Sequence, residues 1–264
     1  MNSLVNKMTI GGNQTETYML DAINSDYVFD FHKNAKSKVL IYVELKSDTK
    51  ITLNVNENSN IKLVIFVCGD YNYYLNINIK DYSNLDLYTS DYNKKDSNIN
   101  KTINLLGNES KFTGFEYLSA INNKIYGGFY VNHLHKNTTS NLVLNYLSNK
   151  DGYINRDAVS TIEANMDNSS SSENIKGIIL SEKSRIDAKP VLVISCDDVK
   201  ASHGCAIGTV DQNEIYYLMS RGLSKEDSLR IICKSLVNPF LKEASDDIEF
   251  LNLVKPKLDN TIGE

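Results

Sequence analysis

Alternating apolar and polar residues repeat along the first half of the chain. The segment ITLNVNENSNIKLV, which starts at Ile51, returns 24 residues later as LNINIKDYSNLDLY, which starts at Leu75. Each copy contains two alternating segments joined by a polar turn, and such alternation predicts strands with one inward face. An antiparallel meander would show the same alternation, but a fixed repeat of this length favours stacked coils that bury their apolar faces against their neighbours.

The strand pattern continues well beyond these two copies. A third, less regular copy spans Ile99 to Asn108, and further strands are predicted at Phe112–Leu118, Ile125–Val131, Leu142–Leu147, Ile178–Leu180 and Val191–Ile194. The segment from Asp167 to Glu173 has four consecutive serines and no apolar anchor, which predicts a protruding loop. We therefore expect one stack of coils over residues 31–208, preceded by a capping segment at residues 1–30.

The spacing of apolar residues changes from two to 3.6 after Val210, which predicts helices over residues 209–264. Asp211 and Glu214 form a capping box for a first helix. Ser224 can cap a second helix, which Pro239 is expected to end, and a third is predicted from Ser245 to Val254. The fold class is therefore all-β with a helical C-terminal region.

Composition and charge narrow the classes of function. The chain has 28 Lys and Arg against 33 Asp and Glu, with no basic cluster, so we do not expect a nucleic-acid partner. The longest apolar run, Leu63–Cys68, is far shorter than the ~20 residues that span a bilayer. The four cysteines are scattered and no signal peptide is recognised, which together predict a cytoplasmic protein without membrane insertion.

The densest group of metal-capable side chains lies between a strand predicted to be buried and the first predicted helix. His203 is a candidate metal ligand because neutral imidazole binds metals readily; the alternative is a hydrogen bond to Asp198 at a tight corner. Cys196 and Cys205 lie on either side of His203, and thiolates are the preferred ligands of iron-sulfur clusters. Their spacing matches no standard zinc or ferredoxin pattern, and core packing is the alternative for each cysteine.

Several residue types follow one another in a fixed order in this part of the chain. They are Pro190 before Val191–Ile194, then Asp197-Asp198-Val199, Ser202-His203-Gly204, Gly208 and Tyr217–Gly222. In these residues the chain resembles the core domain of the SufB/SufD family, the scaffold proteins of the SUF iron-sulfur cluster assembly machinery, and the resemblance is densest over residues 176–241. The resemblance implies a right-handed parallel β-helix, which agrees with the repeat, and the short chain is similar to those of minimal SUF-like systems.

The resemblance also implies a scaffold rather than an enzyme. The family histidine that matches His203 is implicated in cluster assembly at the subunit interface, which implies a transient iron-sulfur cluster beside His203 and Cys205, with Cys196 as a further candidate. Many SufD-type chains have a cysteine where this chain has Ala201. SufB-type chains have glutamates on both sides of the histidine and a cysteine on the preceding coil, and this chain has neither, so the motif is closer to SufD.

The resemblance implies two partners. In this family the C-terminal helices dock on SufC, an ABC-type ATPase, and the ends of the β-helices pair two scaffold subunits. The candidate docking surface is residues 211–241, with Tyr216, Tyr217, Arg221 and Phe240 as possible anchors. No Walker-type glycine-rich loop occurs in this chain, so the nucleotide must come with the partner. A homodimer is our first expectation and a SufB–SufD-type heterodimer our second.

Two alternative functions stay open at this point. One is a SufD-like structural subunit that binds the ATPase but holds no cluster. The other is a β-helical carbohydrate-active enzyme that uses Asp197 and Asp198 as a carboxylate pair. Among the remaining residues, we expect Cys68 and Cys233 to be buried by packing, and His133 with His135 to lie on an exposed polar strand face.

Overall fold

The repeated alternation forms a parallel β-solenoid. The computed structural model describes residues 4–12, 15–23 and 25–263, and its strands alternate along the chain between two sheets. Sheet A contains β1 (Leu4–Ile10), β3 (Ser25–Phe31), β5 (Thr49–Val55), β7 (Tyr73–Ile79), β9 (Ser97–Leu105), β11 (Lys124–His133), β13 (Tyr153–Ile162) and β15 (Arg185–Ile194). Sheet B contains β2 (Thr15–Ala22), β4 (Lys36–Leu45), β6 (Asn60–Cys68), β8 (Asn84–Tyr92), β10 (Lys111–Ile121), β12 (Thr139–Asn149), β14 (Ser169–Ile179) and β16 (Val199–Gly208).

Neighbouring strands in each sheet are parallel and keep the register that the repeat predicts. Leu53 lies opposite Ile77 in sheet A, and Leu63 lies opposite Leu87 in sheet B. Each coil of the chain therefore adds one strand to each sheet, and the prediction of a parallel β-helix with a helical C-terminal region is confirmed.

The two sheets differ in how many of their faces are buried. In β5 of sheet A, Ile51, Leu53 and Val55 face the core between the sheets, while the alternate residues are partly or fully exposed. In β6 of sheet B, Leu63 faces that same core whereas Val64 belongs to a second apolar cluster shared with the helices. The six-residue apolar run at the end of β6 is therefore explained by burial on both faces.

The second cluster is formed by helices that cover the outer face of sheet B. They are α1 (Gln212–Ser220), α2 (Lys225–Ala244) and α3 (Ile248–Gly263). The Asp211 carboxylate accepts a hydrogen bond from the Asn213 N–H, and the Ser224 hydroxyl accepts one from the Asp227 N–H, so both predicted N-caps are present. No helix in the described part of the chain combines the length and apolarity needed to cross a membrane.

Helix α2 continues past Pro239, so the prediction that Pro239 follows its end is wrong. A proline inside a helix removes one backbone hydrogen bond. Phe240 and Ala244, in the turns that follow, are completely buried, and the Phe240 ring centroid lies 6.2 Å from that of Phe66 in sheet B. The apolar burial of the last turns therefore outweighs the loss of that bond.

Polar contacts also tie α2 to sheet B. The Asn145 side-chain amide donates to the Leu236 carbonyl oxygen over 2.8 Å, near the middle of the helix. At the end of α2, the Glu243 carboxylate lies 3.1 Å from Lys38 Nζ and 2.9 Å from Lys62 Nζ. Helix α2 thus runs from the last coils back toward the first ones.

The outer face of sheet A carries a ladder of side-chain amides. The Asn132 amide donates to Asn104 over 2.9 Å, Asn104 donates to Asn78 over 3.0 Å, and Asn78 donates to Asn54 over 2.9 Å. Asn54 in turn donates to the Asp30 carboxylate over 2.7 Å. These bonds join five successive strands of sheet A, so the repeat fixes the stacking on the outside of the solenoid as well as within its core.

One cluster of four buried charged residues lies between the sheets. Lys101 Nζ lies 2.5 Å from an Asp91 carboxylate oxygen and 3.0 Å from a Glu116 carboxylate oxygen. Arg156 Nη2 lies 3.0 Å from the same carboxylate of Glu116. Two acids and two bases therefore neutralise one another inside the solenoid, as buried charges require.

Two further segments differ from the predictions. Asp167–Glu173 is not a protruding loop: β14 begins at Ser169, and Ser169 and Ser171 face inward, where the hydroxyls of Thr138 and Ser140 bond to them over 2.9 Å and 3.0 Å. The predicted capping segment, residues 1–30, contains β1, β2 and all but the last residue of β3, which lie in the same two sheets. Residues 1–3, 13–14 and 24 lie outside the described residues, and the role of this segment as a cap stays a prediction.

Candidate functional site

The metal-capable residues lie at one end of the solenoid, which we call the open end and define as residues 185–208. Strands β15 and β16 are the last strands of their sheets, so each has a strand neighbour on one side only in the described part of the chain. The other edge of each strand leaves backbone N–H and C=O groups available for pairing. The open end therefore exposes both hydrogen-bonding groups and side chains that an additional coil would cover.

The strand predicted to be buried, Val191–Ile194, lies at this open end and is more exposed than expected. Val191, Val193 and Ile194 are 39%, 45% and 38% exposed, respectively. An apolar run predicts burial on both faces. Within the described residues, however, no helix covers sheet A here and no further coil covers the inner face. The prediction of burial is therefore wrong, and the residues form an exposed apolar edge.

His203 lies in the middle of β16, not at the strand-to-helix junction that the sequence predicted. Its side chain is exposed, and its register partner in β14 is Glu173. Side chains at alternate positions of a strand share a face, so Ala201 and Cys205 lie on the same face of β16 as His203. Glu173 faces the interior, and His203 therefore occupies the next inward position, where the solenoid is uncovered.

The two candidate cysteines lie in different environments. Cys205 is exposed, its Sγ lies 4.0 Å from the Ala188 carbonyl oxygen, and partial desolvation raises the pKa of its thiol. Cys196 lies between β15 and β16 and donates to the Asp167 carboxylate over 3.1 Å, a bond that raises the pKa of its thiol. Core packing is therefore excluded for Cys205. Of these two cysteines, Cys205 is the one that shares a strand face with His203.

Glu173, on the strand next to the open end, is the residue that the sequence prediction missed. It is completely buried, and its Oε1 accepts a hydrogen bond from the Ser160 hydroxyl over 2.5 Å. Its Oε2 is buried and has no hydrogen-bond partner, and desolvation raises the pKa of the carboxyl to about 7. The alternation of Ser169, Ser171 and Glu173 would have predicted an inward position if the serine run had been taken as a strand.

These residues do not form a complete metal site within one chain. Over the described ranges, no group of three or more His, Cys, Asp or Glu side chains is positioned to hold a metal ion. Asp197 and Asp198 are both exposed in the bend before β16. The described residues of the open end therefore offer fewer than three such ligands to any one metal ion.

The predicted docking residues divide into two groups. Tyr216 and Tyr217 on α1 are 65% and 59% exposed, and the Arg221 guanidinium carbon lies 5.3 Å from the Tyr217 ring centroid. Phe240 is completely buried against sheet B and offers no surface to a partner. Tyr216, Tyr217 and Arg221 are therefore accessible to a partner, whereas Phe240 is not.

The other single-residue predictions also have definite outcomes. Cys68 and Cys233 are buried, as predicted, and the Cys68 thiol lies 3.1 Å from the Tyr42 hydroxyl. His133 is completely buried rather than exposed, and its ring nitrogens lie within hydrogen-bond distance of Thr138 and Ser140. The prediction of an exposed face was wrong because the end of β11 points this histidine into the core.

Comparison with known proteins agrees with this architecture. Residues 25–236 match the family described as "SUF system FeS cluster assembly, SufBD core domain". The chain belongs to this family. The matched range contains every strand from β3 to β16, the helix α1 and about half of α2.

Individual relatives match shorter parts of the chain. The iron-sulfur cluster assembly protein SufD of Bacillus subtilis is 38% identical over 85 residues, which are 32% of this chain and 20% of that protein. A SufBD family protein of Pyrococcus horikoshii is 42% identical over 86 residues, which are 33% of this chain and 19% of that protein. SufB of Bacillus subtilis is 27% identical over 133 residues, which are 50% of this chain and 29% of that protein. The chain thus spans less than a third of each of these relatives.

Proposed function

We propose that this protein is a scaffold subunit of a SUF-type iron-sulfur cluster assembly complex, in which the cluster is cargo and the turnover belongs to a partner ATPase. The observation that carries the proposal is the exposed His203 on β16, which is the last strand of sheet B in the described part of the chain. Membership of the SufBD core family supports the same role. An imidazole at an uncovered edge is accessible both to a metal and to a second subunit.

The second subunit in this proposal is another scaffold chain that meets the open end. Two strand edges there have no strand neighbour among the described residues, and Val191 and Val193 add exposed apolar surface. Pairing strand edges and covering apolar side chains are the two main ways in which β-proteins associate. A homodimer is the first form we propose and a SufB–SufD-type heterodimer is the second.

The ATPase partner in this proposal is a SufC-like ABC-type protein that docks on α1. Tyr216, Tyr217 and Arg221 supply an aromatic and cationic surface of the kind that concentrates binding energy at protein interfaces. A groove of about 690 Å³ lies between β16 and the helices, and only residues 209–211 connect β16 to α1. Movement of α1 by the ATPase would therefore act directly on the strand that carries His203.

Co-expression with the cognate ABC-type ATPase tests the partnership. We expect the two proteins to co-elute in size-exclusion chromatography, and Tyr217→Ala to weaken that complex. The matched control is Tyr74→Ala, which removes another exposed tyrosine from the outer face of sheet A. Elution of the wild-type protein apart from the ATPase would contradict the proposed docking.

Anaerobic incubation with ferrous iron and sulfide tests the scaffold role. We expect a visible absorption band that His203→Ala reduces, while the control His32→Ala, an exposed histidine near the other end of the solenoid, leaves it unchanged. ATPase binding without any iron uptake would instead identify a SufD-like structural subunit, which is the alternative function.

A further inference from the structure

Glu173 differs from the other acids buried inside the solenoid. Asp91 and Glu116 each contact a buried base, at distances of 2.5 to 3.0 Å. No base contacts Glu173 in the described part of the chain, and Ser160 is the hydrogen-bond partner of only one of its oxygens. Its Oε2 is a buried oxygen without a partner, which points to a ligand or an ordered water beside it.

The register of the last coils places Glu173 directly beside His203. The two residues are opposite each other in β14 and β16, and adjacent strands lie ~4.8 Å apart. Both side chains take the inward direction of their strands. A metal ion about 2.1 Å from a carboxylate oxygen and from an imidazole nitrogen can span such neighbours.

We propose that Glu173 and His203 form a paired carboxylate and imidazole site for ferrous iron, which a second scaffold copy at the open end completes. Carboxylate oxygen and imidazole nitrogen are suitable ligands for ferrous iron. Two ligands from one chain leave most coordination positions free, which agrees with the lack of a complete ligand set in the described residues. The second copy supplies the remaining protein ligands, so the inference rests on the proposed subunit pairing.

The arrangement also gives each ligand a separate task. Glu173 is held in the last covered coil by Ser160, whereas His203 is exposed on the edge strand. The Glu173 carboxylate is therefore a fixed ligand inside the solenoid. The His203 imidazole is the ligand that the incoming iron and the second copy can reach.

Binding of ferrous iron to the full-length protein tests the pair directly. Anaerobic equilibrium dialysis should show that Glu173→Gln and His203→Ala each weaken iron binding at least about tenfold. The glutamine keeps the side-chain volume and can still accept the Ser160 hydroxyl, so the fold should be preserved. The matched control Asp198→Asn removes an exposed carboxylate from the same end and should leave the affinity unchanged.

X-ray absorption at the iron edge gives a readout that does not depend on variants. The wild-type protein with ferrous iron should show oxygen and nitrogen ligands that include imidazole. Unchanged iron binding in Glu173→Gln, an absence of imidazole in the spectrum or no iron binding by the wild type would each overturn the inference. Co-elution with the ATPase is independent of Glu173, so its failure would contradict the proposed function and not this ligand assignment.

Discussion

The buried His133 makes the stability of the solenoid depend on pH in a direction that can be worked out. Its Nδ1 lies 2.7 Å from the Thr138 hydroxyl, and its Nε2 lies 2.9 Å from the Ser140 hydroxyl. Desolvation by burial lowers the pKa of the imidazole from 6.5 to about 4. The folded protein therefore holds this histidine neutral at pH values where the unfolded chain protonates it.

The sign of the effect follows from proton linkage. Between pH 6.5 and about 4 the unfolded state binds a proton that the folded state does not bind, so the free energy of unfolding falls as the pH falls. Each pKa unit corresponds to roughly 1.4 kcal/mol, which gives about 3 kcal/mol over the whole range and about 2 kcal/mol between pH 7 and pH 5. Below about pH 4 the loss should level off.

Urea unfolding of the wild type and of His133→Gln at pH 7 and pH 5 measures this contribution. Glutamine can still bond to a hydroxyl but does not titrate, so the wild-type advantage over the variant should shrink by about 2 kcal/mol at pH 5. The control His32→Gln removes an exposed histidine and should leave the difference between the two pH values close to that of the wild type. A gap between wild type and His133→Gln that is equal at both pH values would refute the reasoning.

Two further predictions concern the stacking of the coils. Gly127→Ala should lower the free energy of unfolding in urea by about 2 kcal/mol or more. Gly127 has φ +113°, and an added Cβ would lie 2.2 Å from the Ile99 carbonyl oxygen. Unchanged stability would contradict this prediction. Asn78→Ala should cost about 1 to 2 kcal/mol, since it removes both bonds of Asn78 in the amide ladder. Thr102→Ala, on the same face but outside the ladder, should cost less, and equal losses would contradict the ladder.

The fold was predictable from the sequence because the same physical unit is repeated. Leu53 over Ile77 and Leu63 over Leu87 are both sequence matches and register pairs, so the period gives the stacking directly. The prediction failed at Asp167–Glu173, where hydroxyl side chains replaced the apolar ones. Serines at inward positions fill the core when hydroxyls of the preceding coil bond to them, and composition alone does not reveal those partners.

The candidate site was predictable only in part, for a similar reason. His203 was found through a motif that is local in sequence, whereas Glu173 is separated from it by a whole coil. Burial of Phe240 depends on how α2 packs against sheet B, which the helical pattern does not specify. Residues that acquire a role through stacking or docking therefore need the structure, whereas residues within one motif do not.

Some inward side chains next to the open end are polar, whereas those in the middle of the first coils are apolar. After Thr49, the inward positions of β5 carry Ile51, Leu53 and Val55. Those of β14 carry Ser169, Ser171 and Glu173 before Ile175. Polar side chains contribute less to burial than apolar ones, and a coil without a neighbour forfeits half of its stacking. A second copy that covers the open end would bury its exposed strand edges and, in the proposed arrangement, complete the iron site in the same step.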